Sequence, residues 1–98
     1  MTKPTKPQWK AVYYAEAPIT GGRREIGVGH GKSPKKAIRQ AQKTPGKDGS
    51  RCPLGWRIRL EVAEWQGDDD YSVSLVAFGD NAAEEALAMH KRALRRCG

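Results

Sequence analysis

Apolar and polar residues alternate in four segments of the chain, and this period of two predicts β-strands. The clearest segment is residues 56–65, in which Trp56, Ile58, Leu60 and Val62 alternate with charged or small residues. The other segments are residues 9–17, 25–30 and 71–78. We expect each strand to bury one face and to expose the other.

The alternation also assigns side chains to faces. One face of residues 9–17 carries Trp9, Ala11, Tyr13 and Ala15, and the other carries Lys10, Val12, Tyr14 and Glu16. In residues 71–78 the same rule places Val73 and Leu75 together on one face, opposite the serines.

Two further segments carry helix signals. Ser33-Pro34 is typical of a helix start, and Pro45-Gly46 ends that helix at about Thr44. Asp80-Asn81 precedes a second predicted helix, from Ala82 to about Cys97. Its expected core stripe consists of Ala83, Ala86, Leu87, His90, Leu94 and Cys97.

The element order is therefore β-β-α-loop-β-β-α, a repeat of one ββα unit. We predict an α+β fold in which two ββα units form a four-stranded antiparallel sheet with two helices on one face. Residues 9–98 form this single domain, residues 44–55 link its units, and residues 1–8 form a flexible basic arm.

Composition limits the function classes. The chain has 98 residues, 38% of them apolar, and no apolar run long enough to span a membrane. No apolar segment follows the basic start, so we expect no signal peptide and a cytoplasmic protein. Cys52 and Cys97 are expected to be free thiols.

The net charge of +7 is unevenly distributed. Residues 1–60 carry fourteen Lys and Arg against three acids, or +11, whereas residues 61–98 carry four against eight, or −4. Such asymmetry favours an anionic partner for the basic part.

The first helix carries its charge against the helix dipole. Lys35 and Lys36 lie in its first turn, where each costs about 0.3–1 kcal/mol relative to an acid. The basic stripe, as we name it, consists of Lys32, Lys35, Lys36, Arg39 and Lys43. It is either a binding surface or simply a solvated face. The second helix obeys the dipole rule, so its charges need no partner.

Other residues complete the candidate binding set. Arg23 and Arg24 are expected in a hairpin turn, and Arg57 and Arg59 on the uncovered face of the sheet. Trp65 shares that face, where it either stacks on bases or packs against a neighbouring strand.

Residues Gly27–Ser33 resemble a phosphate-binding loop, but Ile26 stands where the Walker spacing requires a glycine. Lys32 and Ser33 could still hold one backbone phosphate, unless the glycines only end a strand and Ser33 only caps a helix.

No enzyme is expected, because the chain offers no nucleophile–base set and no cofactor motif. His30, Cys52, His90 and Cys97 lack metal-ligand spacing. The acids Asp68, Asp69 and Asp70 are interpreted as turn residues.

Residues 9–43 resemble the arm-type DNA-binding domain of phage tyrosine recombinases. The resemblance lies in Tyr13-Tyr14, the turn from Pro18 to Arg24, Gly27-Val28-Gly29, and the alanines of the first helix. It implies that a small sheet enters the major groove and brings Arg23 and Arg24 to DNA. The family's third strand would have to come from residues 56–65.

Two functional hypotheses follow. The first is a DNA-binding module of phage or mobile-element type, using the basic stripe, Arg23, Arg24 and the sheet face. The second is an inhibitor or adaptor, like an anti-CRISPR protein, that binds an acidic or nucleic-acid-handling host complex. Pairing of an edge strand with a second copy would make a homodimer.

Overall fold

A computed structural model describes residues 8–67 and 70–97, without the side chains of Arg96 and Cys97. These residues form four strands and two helices. The elements are β1 (Trp9–Glu16), β2 (Arg23–Gly31), α1 (Pro34–Lys43), β3 (Arg57–Gly67), β4 (Asp70–Phe78) and α2 (Ala82–Cys97). The arm at residues 1–7, the turn residues Asp68 and Asp69, and the Cys97 thiol lie outside this description.

The strands form one antiparallel sheet in the order β2-β1-β3-β4. This order places the first strand of each ββα unit at the centre and the second strand at an edge. Helix α1 packs on β1 and β2, and α2 packs on β3 and β4. The predicted α+β class is therefore confirmed, with four antiparallel strands and two helices.

The faces of the central strands are those that the alternation predicts. Ala11 and Ala15 of β1, with Leu60 and Val62 of β3, are buried beneath the helices. The opposite side of the sheet, here called the open face, carries Lys10, Val12, Tyr14 and Glu16 of β1 beside Arg57, Arg59 and Glu61 of β3. Within the described chain, no helix is long and apolar enough to cross a bilayer.

Helix α1 lies very close to β2 because the strand presents glycines to it. A Cβ atom at Gly29 would collide with the backbone of Ala37 and Ala41, and one at Gly27 would lie 2.5 Å from the Ala41 carbonyl oxygen. One at Gly31 would lie 2.8 Å from the Ala37 nitrogen. The alternate glycines are thus a packing surface for the helix.

The prediction that Val73 and Leu75 share one face of β4 is wrong. The register shifts between Val62 and Ala63, so that Val62 pairs with Leu75 but Ala63 pairs with Val73. Ser74 is the extra residue of a β-bulge. Leu75 therefore packs against the core, whereas Val73 lies on the open face and is 50% exposed.

Helix α2 has its predicted bounds, but its core stripe is shorter than expected. Ala86 is buried and Leu87 packs against the core, yet Leu94 is 59% exposed. The prediction for Leu94 was wrong because residues 91–95 are all exposed, so the end of the helix lies beyond the core. His90 is half-buried, and its ring centroid lies 5.4 Å from that of Trp9 in an edge-to-face arrangement.

Strand β2 begins two residues earlier than predicted, at Arg23. Arg23 and Arg24 are thus strand residues, and they pair with Glu16 and Ala15 across the sheet. Cys52 has a free thiol, as expected.

Replacing Gly29 with alanine should destabilise the domain. The new methyl group would collide with backbone atoms of α1. Overpacking of this kind lowers the free energy of unfolding by about 1–3 kcal/mol. Urea unfolding measures the loss. Gly22→Ala is the matched control, because its nearest heavy atom would be 3.5 Å from the new Cβ. Equal effects at the two positions would contradict the close-packing account.

Candidate nucleic-acid interface

All five residues of the basic stripe are exposed. They lie on or beside α1, whose opposite side buries Pro34, Ala37, Ile38 and Ala41. Between residues 8 and 67, and between 70 and 97, the structure contains no ion pair made by any of the five. Their charge is therefore directed to solvent rather than to any of the described acids.

The start of α1 is capped by the protein itself. The Ser33 hydroxyl accepts a hydrogen bond from the Lys36 N–H at 3.3 Å, and the Ser33 carbonyl accepts one from the Ala37 N–H at 3.0 Å. Pro34 has no N–H to offer. Of the first-turn amides, only that of Lys35 has no described partner, and so Ser33 acts mainly as a cap.

The arginines of the open face have a different environment from the lysines of α1. Glu16 lies among three of them: Arg57 donates a hydrogen bond to its carboxylate, Arg23 donates a second at 3.2 Å, and Arg59 lies within 3.9 Å. The hydrogen bond from Arg57 contributes most to lowering the pKa of Glu16 from its ordinary value of 4.5. Glu16 is the centre of an ion-pair network.

Glu61 extends this network along β3. It accepts a hydrogen bond from Arg59 at 2.7 Å, and Arg23 lies 3.6 Å from the same oxygen. The guanidinium of Arg57 lies 4.2 Å from the ring centroid of Phe78, and that of Arg59 lies 5.4 Å from it. The guanidinium of Arg23 lies 6.0 Å from the ring centroid of Tyr14. The three arginines are thus held by two carboxylates and two aromatic rings.

The predicted binding residues therefore form two separate groups. The basic stripe belongs to the helical layer, whereas Arg23, Arg57 and Arg59 lie across the sheet on the open face. Arg24 belongs to neither group, because its guanidinium lies over the ring of Trp56, 5.3 Å from the centroid. One flat ligand surface cannot contact both groups at once.

Trp65 occupies the open-face position that the alternation predicts, opposite Tyr71. Its side chain is partly buried, and its Nε1 is buried without a hydrogen-bond partner in the described chain. This burial favours packing within the sheet over stacking on a base. Lys10 Nζ lies 5.9 Å from the ring centroid of Tyr71, on the same face.

His30 adds little charge to this end of the open face. Its ring centroid lies 6.1 Å from that of Tyr71. Burial lowers the pKa of His30 from its ordinary value of 6.5, and the nearby charge of Lys10 lowers it further. At pH 7 the imidazole is therefore mainly neutral.

Sequence reasoning missed the roles of Glu16 and Glu61. The alternation placed both residues on the open face, but their pairing with arginines depends on the register of β1 with β3. That register places Glu16 opposite Arg57 and Tyr14 opposite Arg59. The available signal was the row of opposite charges on one face of two strands.

Comparisons of the chain with protein-family models, with curated proteins and with solved structures find no match.

Replacing Lys35 with glutamate should stabilise the protein. An acid in the first turn interacts favourably with the helix dipole by about 0.3–1 kcal/mol, and it gains Arg39 as an i+4 partner. Denaturant unfolding at low ionic strength measures the gain, which should fade as salt is added. Arg51→Glu makes the same charge change in an exposed loop and should have little effect. A loss of stability in Lys35→Glu would contradict the dipole argument.

Replacing Glu16 with glutamine should lower the melting temperature at neutral pH, because three arginines lose their shared carboxylate. A carboxylate whose pKa is lowered in the folded state stabilises above its unfolded pKa. The stabilisation is lost as the pH falls through the folded value. The difference from wild type should thus be complete above about pH 4.5 and disappear at lower pH.

Thermal unfolding over a pH series tests this account of Glu16. Glu64→Gln is the control, since Glu64 is exposed and forms no ion pair with any described residue. A difference between wild type and Glu16→Gln that stays constant into strong acid would argue against the network.

Proposed function

We propose that the protein binds nucleic acid, with DNA as the expected ligand, and that the basic stripe of α1 contacts the phosphate backbone. The observation that carries the proposal is the contrast between two sets of cations. The arginines of the open face have carboxylate partners, whereas the five cations of the basic stripe have none among the described residues.

The geometry of the stripe suits a row of phosphates. The helical part of the stripe, residues 35–43, extends over about 12 Å at the helical rise of about 1.5 Å per residue, and Lys32 precedes it. Lysine and arginine along such a row replace counterions on a nucleic-acid backbone, and this makes binding strongly salt-dependent. Backbone contacts of this kind position a protein on DNA without selecting a sequence.

The placement of Lys35 and Lys36 supports a functional origin. An acid at either position would favour the helix dipole, so the lysines lower the stability of α1. A merely solvated face has no such requirement for cations at the start of a helix. Local instability of this kind is typical of functional surfaces.

The resemblance of residues 9–43 to recombinase arm domains supports DNA as the ligand but suggests a different surface. In that family the sheet enters the groove. Of the two arginines that the resemblance brings to DNA, Arg23 is engaged by Glu16 and Glu61, and releasing it costs those surface ion pairs. Arg24 lies over the ring of Trp56 instead. We therefore assign the main contact to α1.

The test compares wild type with a triple variant of the stripe, Lys36→Gln, Arg39→Gln and Lys43→Gln. Binding to duplex DNA at low salt should weaken between about threefold and a hundredfold, because three surface ion pairs are each worth about 0.2–1 kcal/mol. The slope of log K against log salt should fall by about one for each lost contact. Fluorescence anisotropy over a salt series measures both quantities.

The charge-matched control replaces Lys91, Arg92 and Arg95 of α2 with glutamine, and it should bind nearly as well as wild type. Lys35→Glu gives a second check, because it is expected to weaken binding while the fold becomes more stable. Wild type that fails to bind DNA or RNA at low salt would overturn the proposal. Loss of binding in Arg57→Gln with Arg59→Gln, but not in the stripe variant, would move the site to the open face.

A further inference from the structure

The two edges of the sheet differ in whether their backbone groups are already bonded. Along β2, the Glu25 N–H donates to an Asp48 carboxylate oxygen at 2.9 Å, and the Val28 N–H donates to the Thr44 carbonyl at 3.2 Å. The His30 N–H lies 3.4 Å from the Gln40 side-chain oxygen. Helix α1 and the segment after it therefore cover the β2 edge.

The β4 edge has no comparable cover. The Gly79 N–H donates to the Ile58 carbonyl at 2.9 Å. Because hydrogen-bond direction alternates along a strand, Ala77 and Leu75 also face β3, and the backbone groups of Val76 and Phe78 face outward. Among the described residues, no hydrogen bond reaches the backbone N–H or C=O of Val76 or Phe78 from outside the sheet.

The sequence of this edge lacks the usual protection against pairing. Residues 72–78 contain neither a charged residue nor proline. Exposed edges are normally guarded by lysine, proline or bulges, and here only the bulge at Ser74 is present, upstream of Leu75. Val73 is 50% exposed and Phe78 is 37% exposed beside this edge.

We propose that residues 75–78 of β4 are a dimerisation edge, and that the occupant is the same strand of a second copy in antiparallel orientation. Self-pairing is favoured because an uncharged strand places no like charges opposite each other. The other edge of the sheet cannot serve, because its outward N–H groups at Glu25, Val28 and His30 are already bonded.

The outward groups also define the register. A two-fold axis at Ala77 places Val76 of each copy opposite Phe78 of the other. Both residues then exchange backbone hydrogen bonds, about four in total for the pair. Their side chains lie on the open face, where an aliphatic–aromatic cross-strand pair adds about 0.2–1 kcal/mol. The dimer would thus have one continuous sheet.

Sedimentation equilibrium of wild type from micromolar to millimolar concentration tests the dimer, and the mass should rise from one chain to two. Amide hydrogen exchange by NMR tests the edge. The Ala77 amide should be protected at every concentration, whereas those of Val76 and Phe78 should become protected only as the dimer forms. A monomer over the whole range would overturn the proposal, as would a dimer without this protection.

Val76→Pro removes an outward N–H and should abolish the dimer, while Val76→Thr keeps the N–H and should retain it. A proline is tolerated in an edge strand where its nitrogen faces solvent. If the proline variant unfolds, Val76→Lys decides, because it places two charges beside the pairing edge in an otherwise intact chain. A folded Val76→Lys protein that dimerises like wild type would contradict the assignment. None of these outcomes depends on DNA binding.

Discussion

Helix α1 packs on β2 with almost no side-chain volume between the two backbones, because Gly27 and Gly29 lie beneath Ala37 and Ala41. This contact fixes both the height and the rotation of the helix. The few apolar residues of α1 all pack against the sheet, and the remaining positions face water. The surface that carries the basic stripe is therefore positioned directly by the packing of the core beneath it.

Whether a cation of this protein is available to an anionic ligand depends on the face that it occupies. On the open face, each arginine of the network has a carboxylate within 4 Å, and Glu16 serves three of them. On α1 the absence of acids in the first turn leaves the lysines with the unfavourable end of the helix dipole. An incoming phosphate would relieve that repulsion, whereas on the open face it would first have to displace a carboxylate. Net charge alone does not separate these two situations.

Elements that follow a single period over their whole length could be predicted from the sequence. The strands, both helices and the repeated ββα order follow from alternation, from Ser33-Pro34 and from Asp80-Asn81. Features that depend on a neighbouring strand could not be predicted. The extra residue at Ser74 leaves no trace in the pattern, since a bulge is defined by pairing. Leu94 fits a helical stripe, but the pattern does not tell where the sheet beneath the helix ends.

The candidate site shows the same division. The exposure of the basic stripe could be predicted, because apolar residues at positions 37, 38 and 41 identify the buried side of α1. The partners of Arg23, Arg57 and Arg59 could not, because they depend on the register of three strands. The separation of the two cationic groups likewise requires knowledge of which layer each element joins.

The segment that joins the two ββα units has a role beyond connection. By bonding to β2 it leaves the sheet with a single edge at which another strand can be added. Association through one self-complementary edge uses up that edge in both partners, so growth ends at two chains. A sheet with two open edges would instead extend into a fibre. The connection would thereby limit assembly through the sheet edges to two chains, even though it lies at the opposite side of the sheet from β4, the strand that we propose associates.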